Sequence, residues 1–204
     1  MVKSRFFRLI LLSAVLWGLS PTWIWAGPPT EQLRATVDEV IRILADQSLK
    51  QQPQRRRELL RQVINKRFSY EDMARYSLGQ YWRNLSPAQR AEFIDLFSQL
   101  LERSYANKIE GYTDEKVIYQ AERPDGDGYE VRTLIQRRND QIPVTYRLLN
   151  KSGEWWVYDV VIEGVSLVSN YRSQFNRIIR ESGYQELVQR MRRKLQEEKE
   201  MDKL

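Results

Sequence analysis

Residues 128–166 read GYEVRTLIQRRNDQIPVTYRLLNKSGEWWVYDVVIEGVS, and this stretch decides the fold. Apolar and polar side chains alternate along it with the period of two that is typical of a strand with one buried face, as at Tyr129, Val131 and Ile135. Turn-forming residues at 139–140 and 150–153 separate the alternating runs. Because consecutive strands joined by short turns pair antiparallel, the sequence predicts a curved meander of about four strands that begins near residue 115.

The last predicted strand, residues 154–162, is rich in large apolar side chains. Strict alternation divides this strand into two faces. Apolarity alone assigns one of them to the interior of the protein, namely the face that carries Trp156, Tyr158, Val160 and Ile162.

Helical periodicity begins before the sheet. Residues 28–50 carry apolar side chains at spacings of three and four, and a second helix follows Pro53. The first turn of that second helix holds Arg55, Arg56 and Arg57, an arrangement that the helix dipole disfavours. We therefore expect this end of the helix to be solvated.

Capping signals place the remaining helices. Ser69, with an acidic residue three positions later, begins a short helix that ends at Gly79. The segment 86–89, Ser-Pro-Ala-Gln, begins a longer one that ends near Gly111. Helical spacing returns after the sheet, up to Gly183 and again beyond it. The order of elements predicts an α+β fold, with helices packed on one face of the antiparallel sheet.

The first 26 residues are typical of an export signal. They combine a cationic start, an apolar run over 9–19 and a small residue, Ala26, at the expected cleavage position. We predict a signal peptide over 1–26, a single α+β domain over 27–196, a charged flexible end over 197–204, and export of the chain. Three of the cations behind the formal net charge of +6 lie in the signal peptide, so the exported part carries only about +3.

The composition restricts the chemistry. The chain has no Cys and no His, which excludes serine triads, Cys-His dyads, imidazole bases and histidine-ligated zinc. Asp159 and Glu163 remain as a possible acid/base pair, although structural hydrogen bonding is the favoured interpretation. Asp125 and Asp127 flank a glycine, and a hairpin turn is favoured there over a calcium loop. We predict no catalytic residue, no metal and no cofactor, and the charge pattern does not favour a nucleic acid as partner.

Two segments carry a family resemblance. The first combines LGQYW at 78–82, SPAQR at 86–90 and the aromatic helix that follows. The second is WVYDVVIEGVSLV at 156–168, continued by Asn170, Tyr171 and Phe175. Together they resemble the MlaC family, also called toluene-tolerance or ABC-transporter auxiliary lipid-binding proteins.

This resemblance implies a specific function. It implies a periplasmic phospholipid carrier without enzyme activity, working between an inner-membrane ABC complex and an outer-membrane lipoprotein complex to maintain outer-membrane lipid asymmetry. The implied fold is a cone similar to the NTF2-like fold, with acyl chains between the curved sheet and the helices. We also expect no transmembrane segment in the exported chain.

The candidate ligand-binding residues form two predicted walls. The sheet wall comprises Val144, Tyr146, Leu148, Trp156, Tyr158, Val160 and Ile162. The helical wall comprises Phe93, Phe97, Leu101, Tyr105, Leu167, Val168, Tyr171, Phe175 and Ile179. Two alternatives stay open at this point: an NTF2-like enzyme that uses a carboxylate base, and an interaction module with a solid core.

Overall fold

The structure is a computed structural model that describes residues 27–111, 115–137 and 140–201. The predicted signal peptide lies outside the described residues, as does the end of the predicted flexible segment. Within these ranges, no helix combines the length and the apolar character needed to cross a membrane.

The described part of the chain contains six α-helices and one 3-10 helix. Helix α6 contains a break at Gly183, which has φ 84° and ψ 167°. The helices are α1 Pro28–Ala45, α2 Gln47–Lys50, α3 Pro53–Asn65, α4 Tyr70–Leu78, the 3-10 helix Gly79–Asn84, α5 Pro87–Glu110 and α6 Leu167–Met201.

The capping prediction for α5 is confirmed by reciprocal hydrogen bonds. The Ser86 amide donates to Gln89 Oε1 at 2.9 Å, and the Gln89 amide donates to Ser86 Oγ at 3.2 Å.

The prediction of one helix over 28–50 is wrong. The chain breaks at Asp46, whose carboxylate accepts from the Ser48 amide at 2.8 Å and so begins a separate helical turn.

The strands form one antiparallel sheet, with neighbours in chain order throughout. The predicted α+β class and meander are confirmed, with a fifth, two-residue strand added at the end. The strands are β1 Lys116–Asp125, β2 Gly128–Gln136, β3 Gln141–Lys151, β4 Glu154–Ile162 and β5 Val165–Ser166.

The predicted division of β4 into faces is wrong. Tyr146 pairs with Val160, but Leu148 pairs with Val157, so one extra residue is inserted into β4 between these two pairs. Such a bulge shifts the alternation by one position. Val157, with none of its surface exposed, therefore shares a face with Val160, and Trp156 lies on the opposite face.

Two apolar clusters form the core. The first lies on the sheet face that α1 covers, which we call the inner face; its fully or nearly fully buried members are Leu33, Val131, Val144, Leu148, Val157 and Val160. The second, the helical cluster, joins α4, the 3-10 helix, α5 and α6. Phe68 packs against both clusters. The other face of the sheet, the outer face, carries ion pairs such as that between Arg132 and Glu130 at 2.8 Å.

Gly128 is required where β2 passes β3. A side-chain carbon at this position would collide with the backbone carbonyl of Leu148. We expect Gly128→Ala to lower the free energy of unfolding by about 1–3 kcal/mol because one of the two strands must move. Gly126→Ala is the matched control: its position is open, so only its φ of +57° opposes alanine, at a cost of about 1 kcal/mol. Urea unfolding of both variants measures this, and equal losses would contradict the collision.

Candidate ligand-binding site on the inner face

The inner face is sealed at one end and accessible at the other. At the sealed end, Val131, Leu148 and Val157 have no exposed surface, and Leu33 of α1 covers them equally completely. Towards the start of β1 and the end of β4 the same face becomes half-buried, which leaves apolar surface accessible. This accessible end, which we call the open end, carries Val117, Ile135, Ile142 and Ile162.

Tyr146 lies between the two ends. Burial raises the pKa of its phenol to about 12, so the group stays protonated and neutral at physiological pH. The side chain nevertheless keeps part of its surface accessible, unlike Leu148 two residues further along the strand. Exposure along β3 is therefore not uniform: Tyr146 keeps accessible surface, although Val144, two residues nearer the open end, is only 4% exposed.

Helix α1 and strand β1 each place one polar group beside the inner face. The guanidinium carbon of Arg34 lies 4.1 Å from the ring centroid of Tyr119, within range of a cation–π interaction. Arg34 Nε and Tyr119 Oη are both buried and make no hydrogen bond with the described residues. Burial also raises the pKa of Tyr119, which keeps its hydroxyl a donor. These two groups could contact a polar part of a mainly apolar ligand.

The structure brings together most of the predicted sheet wall. One predicted helical residue, Leu167, joins this group because it is the first residue of α6 and packs against the inner-face cluster. The predicted residues gathered on the inner face are Val144, Tyr146, Leu148, Val160, Ile162 and Leu167.

The other predicted helical residues belong to the helical cluster. Their aromatic rings pack mainly on one another: the ring centroids of Phe97 and Phe175 are 5.6 Å apart, and those of Phe97 and Tyr171 are 5.1 Å apart. Helical spacing identified the buried side of α5 correctly, but this side faces α6 rather than the sheet. The predicted residues in this cluster are Phe93, Phe97, Leu101, Tyr105, Val168, Tyr171, Phe175 and Ile179. Their contact with a ligand stays a prediction.

Two predicted residues lie away from the inner face because of the bulge in β4. Tyr158 packs on Tyr76 of α4, with ring centroids 5.0 Å apart. Trp156 lines an open surface cleft of about 600 Å³, together with Tyr70 and Lys151 among others.

Several inner-face residues were absent from the predicted set. The helical stripe on α1 and the alternation in β2 were the available signals, but neither shows which strand or helix lies opposite. The structure adds Leu33, Val37, Tyr119, Val131, Ile135, Ile142, Trp155 and Val157.

The predicted alternative of an acid/base pair finds no support in the geometry. Asp159 is 2% exposed, and its carboxylate accepts from Ser166 Oγ at 2.6 Å, from the Val168 amide at 3.1 Å and from Arg147 at 3.3 Å. Glu163 is exposed in the turn after β4. Asp159 thus anchors the first turn of α6. Across the described ranges, no three residues among His, Cys, Asp and Glu are grouped so as to hold a metal ion.

The fold and this face define an α+β domain whose sheet offers an apolar surface, sealed at one end and open at the other, beneath helices. A family model described as MlaC protein matches residues 34–193, and the chain belongs to that family. The predicted family is thereby confirmed.

Individual relatives agree with this assignment. The chain is 28% identical over 196 residues to the intermembrane phospholipid transport system binding protein MlaC of Haemophilus influenzae, covering 92% of each. It is 28% identical over 106 residues to the toluene tolerance protein ttg2D of Pseudomonas putida, covering 51% of this chain and 49% of that protein. A phospholipid-binding protein of Ralstonia solanacearum, solved in complex with a phospholipid, shares the fold with a TM-score of 0.77 at 24% identity, covering 84% of this chain and 99% of that one.

Proposed function

We propose that the chain is a periplasmic phospholipid carrier that holds acyl chains along the inner face and performs no chemistry on them. In this proposal it shuttles lipid between inner- and outer-membrane complexes and so maintains outer-membrane lipid asymmetry. The observation that carries the proposal is the change along the inner face from complete burial at Leu148 to accessible apolar surface at Ile135, Ile142 and Ile162. Membership of the MlaC family and the phospholipid-related names of its relatives support it.

An apolar space with one open end suits a ligand with long chains and a polar head. Each buried methylene contributes about 0.8 kcal/mol, so two chains of about 15 carbons require on the order of 20 kcal/mol of apolar contact. A shallow groove would not compete with a bilayer for such a ligand. In this proposal the acyl chains enter at the open end and extend along the inner face towards Tyr146.

The second wall of the proposed space is formed by helices. Helix α5 ends at Glu110 and β1 begins at Lys116, at the open end of the sheet, so the last turns of α5 approach that end. We propose that Leu101 and Tyr105 contact the acyl chains there. The aromatic residues Phe93, Phe97 and Phe175 then support this wall from behind through the helical cluster.

Native mass spectrometry of the protein purified from a periplasmic extract tests the proposal. We expect the folded protein to carry an adduct with the mass of a phospholipid, and the same sample in denaturing solvent to release that lipid and leave the bare chain. A folded protein with no phospholipid adduct would contradict the carrier function. Incubation of the lipid-free protein with phospholipid vesicles then shows whether lipid was lost during purification. A protein that binds phospholipid takes it up again, and a protein that does not bind it stays bare.

A further inference from the structure

The position of α1 and α3 places one helical corner beside the open end. At the sealed end, the Thr30 amide donates to Glu122 at 2.9 Å and the Trp155 amide donates to Gln32 at 2.9 Å, which fixes the start of α1. From there α1 runs towards the open end, passing Tyr119 at Arg34. The 15 residue-to-residue steps from Thr30 to Ala45 extend about 22 Å, which matches the roughly 20 Å of β1 from Glu122 to Lys116.

Helix α3 returns along α1 to the sealed end. Its following residues, Arg67 and Phe68, meet β4 there: Arg67 donates to the Trp155 carbonyl at 2.8 Å, and Phe68 pairs with Val157. The start of α3 therefore lies at the opposite end. Residues 42–57, which join the end of α1 to the start of α3, form a corner beside the open end that we call the tip.

The tip is strongly cationic for its size. It contains five cations and one acid, and the side chains of Arg42, Lys50, Arg55 and Arg57 are exposed. By contrast, the hairpin segment 122–128 at the sealed end contains three acids and one cation. Of these two segments, the one beside the open end is thus the positive one.

The cations at the start of α3 differ in their surroundings. Arg55, Arg56 and Arg57 occupy its first turn, where the partial positive charge of the helix N-terminus disfavours them. Arg55 pairs with Glu58 at 3.3 Å, and Arg56 is only 9% exposed, so the expectation that this whole end of the helix is solvated is wrong at Arg56. The docking argument therefore depends chiefly on the exposed side chains of Arg42 and Lys50.

We propose that the tip is the surface by which the protein meets an anionic lipid bilayer, with its open end turned towards the headgroups. The occupant is a lipid surface rather than an acidic protein because the tip adjoins the opening through which a lipid would have to pass, so the inference rests on the proposed function for this choice. Each Lys or Arg near an anionic membrane contributes about 1 kcal/mol to binding, and four exposed cations give weak, reversible association that salt suppresses.

Vesicle flotation at low salt tests the tip with a matched pair of charge reversals. The variant Arg42→Glu/Lys50→Glu changes two exposed cations of the tip, and Arg177→Glu/Arg180→Glu makes the same change in net charge on the exposed side of α6. The vesicles contain phosphatidylethanolamine with phosphatidylglycerol, or phosphatidylcholine alone. We expect the unaltered protein to float with the anionic vesicles only, the tip variant to bind at least about tenfold less, and the α6 variant to stay within about twofold.

Two results would overturn the proposal. Equal losses in both variants would show that net charge, not the tip, governs binding. Absence of binding by the unaltered protein to anionic vesicles at low salt would exclude a lipid surface as the occupant. Native mass spectrometry of the same preparations distinguishes failure of this proposal from failure of the proposed function. A protein that carries no bound lipid but still binds anionic vesicles, and loses that binding in the tip variant, would contradict the carrier function and support the docking surface.

Discussion

Ile135→Arg is expected to empty the proposed lipid site while the protein stays folded. Ile135 lies on the inner face near the open end, where it is half-buried and packs against the inner-face cluster. A guanidinium there can still reach water, so the fold survives, but an acyl chain cannot pack against it without burying an unpaired charge. We expect the lipid-bound fraction, measured by native mass spectrometry, to fall at least about tenfold.

The neighbouring residue provides the control. Leu134 is also apolar and half-buried on β2, but it lies on the outer face, paired with Ile118 and Pro143. Leu134→Arg should therefore retain its lipid. Circular dichroism of both variants establishes that they are folded. Full lipid occupancy in Ile135→Arg, or equal loss in the two variants, would show that the lipid does not lie on the inner face.

Asp159→Ala is expected to produce the largest loss of stability. The change removes the buried acceptor for Ser166, the Val168 amide and Arg147, and it leaves Asp125, at 3.5 Å, as the remaining ion-pair partner of the arginine. Breaking a buried charged network from one side typically costs about 3–5 kcal/mol. In a domain of this size the midpoint of thermal unfolding should fall by roughly 10 °C.

The comparison with an exposed aspartate isolates the effect of burial. Asp95 is exposed and its carboxylate accepts one hydrogen bond, from Gln99 at 2.8 Å, so Asp95→Ala should change stability by less than about 0.5 kcal/mol. Asp159→Asn should fall between the two, since an amide oxygen can still accept from the Val168 amide but carries no charge for Arg147. A stability of Asp159→Ala close to that of the unaltered protein would contradict the anchoring role.

Local signals in the sequence predicted most of the fold. The Ser86 capping box and the alternation in β2 and β3 depend on residues a few positions apart, and the structure reproduces both. Asp46 interrupts the first helix because its carboxylate accepts a hydrogen bond from a backbone amide. The spacing of apolar residues does not predict such a hydrogen bond.

The candidate site was less predictable because its residues meet through pairing and packing. The sheet face on which Trp156 lies depends on the register between β3 and β4. Strand β4 contains no glycine or proline that would indicate a bulge. The aromatic stripe of α5 was correctly expected to be buried, but Phe97 found its partners on α6. A periodic stripe identifies the buried side of an element, whereas the opposing surface depends on the arrangement of the whole chain.

The extra residue in β4 divides the strand into two parts that each place different side chains on the inner face. Before it, the strand supplies Trp155 and Val157 to the inner face, and after it the strand supplies Val160 and Ile162. Val157 of the first pair has no exposed surface, whereas Ile162 of the second keeps part of its surface accessible. The position of this one residue determines which side chains of β4 the inner face receives, so moving the insertion along the strand would exchange those side chains without any change in amino-acid composition.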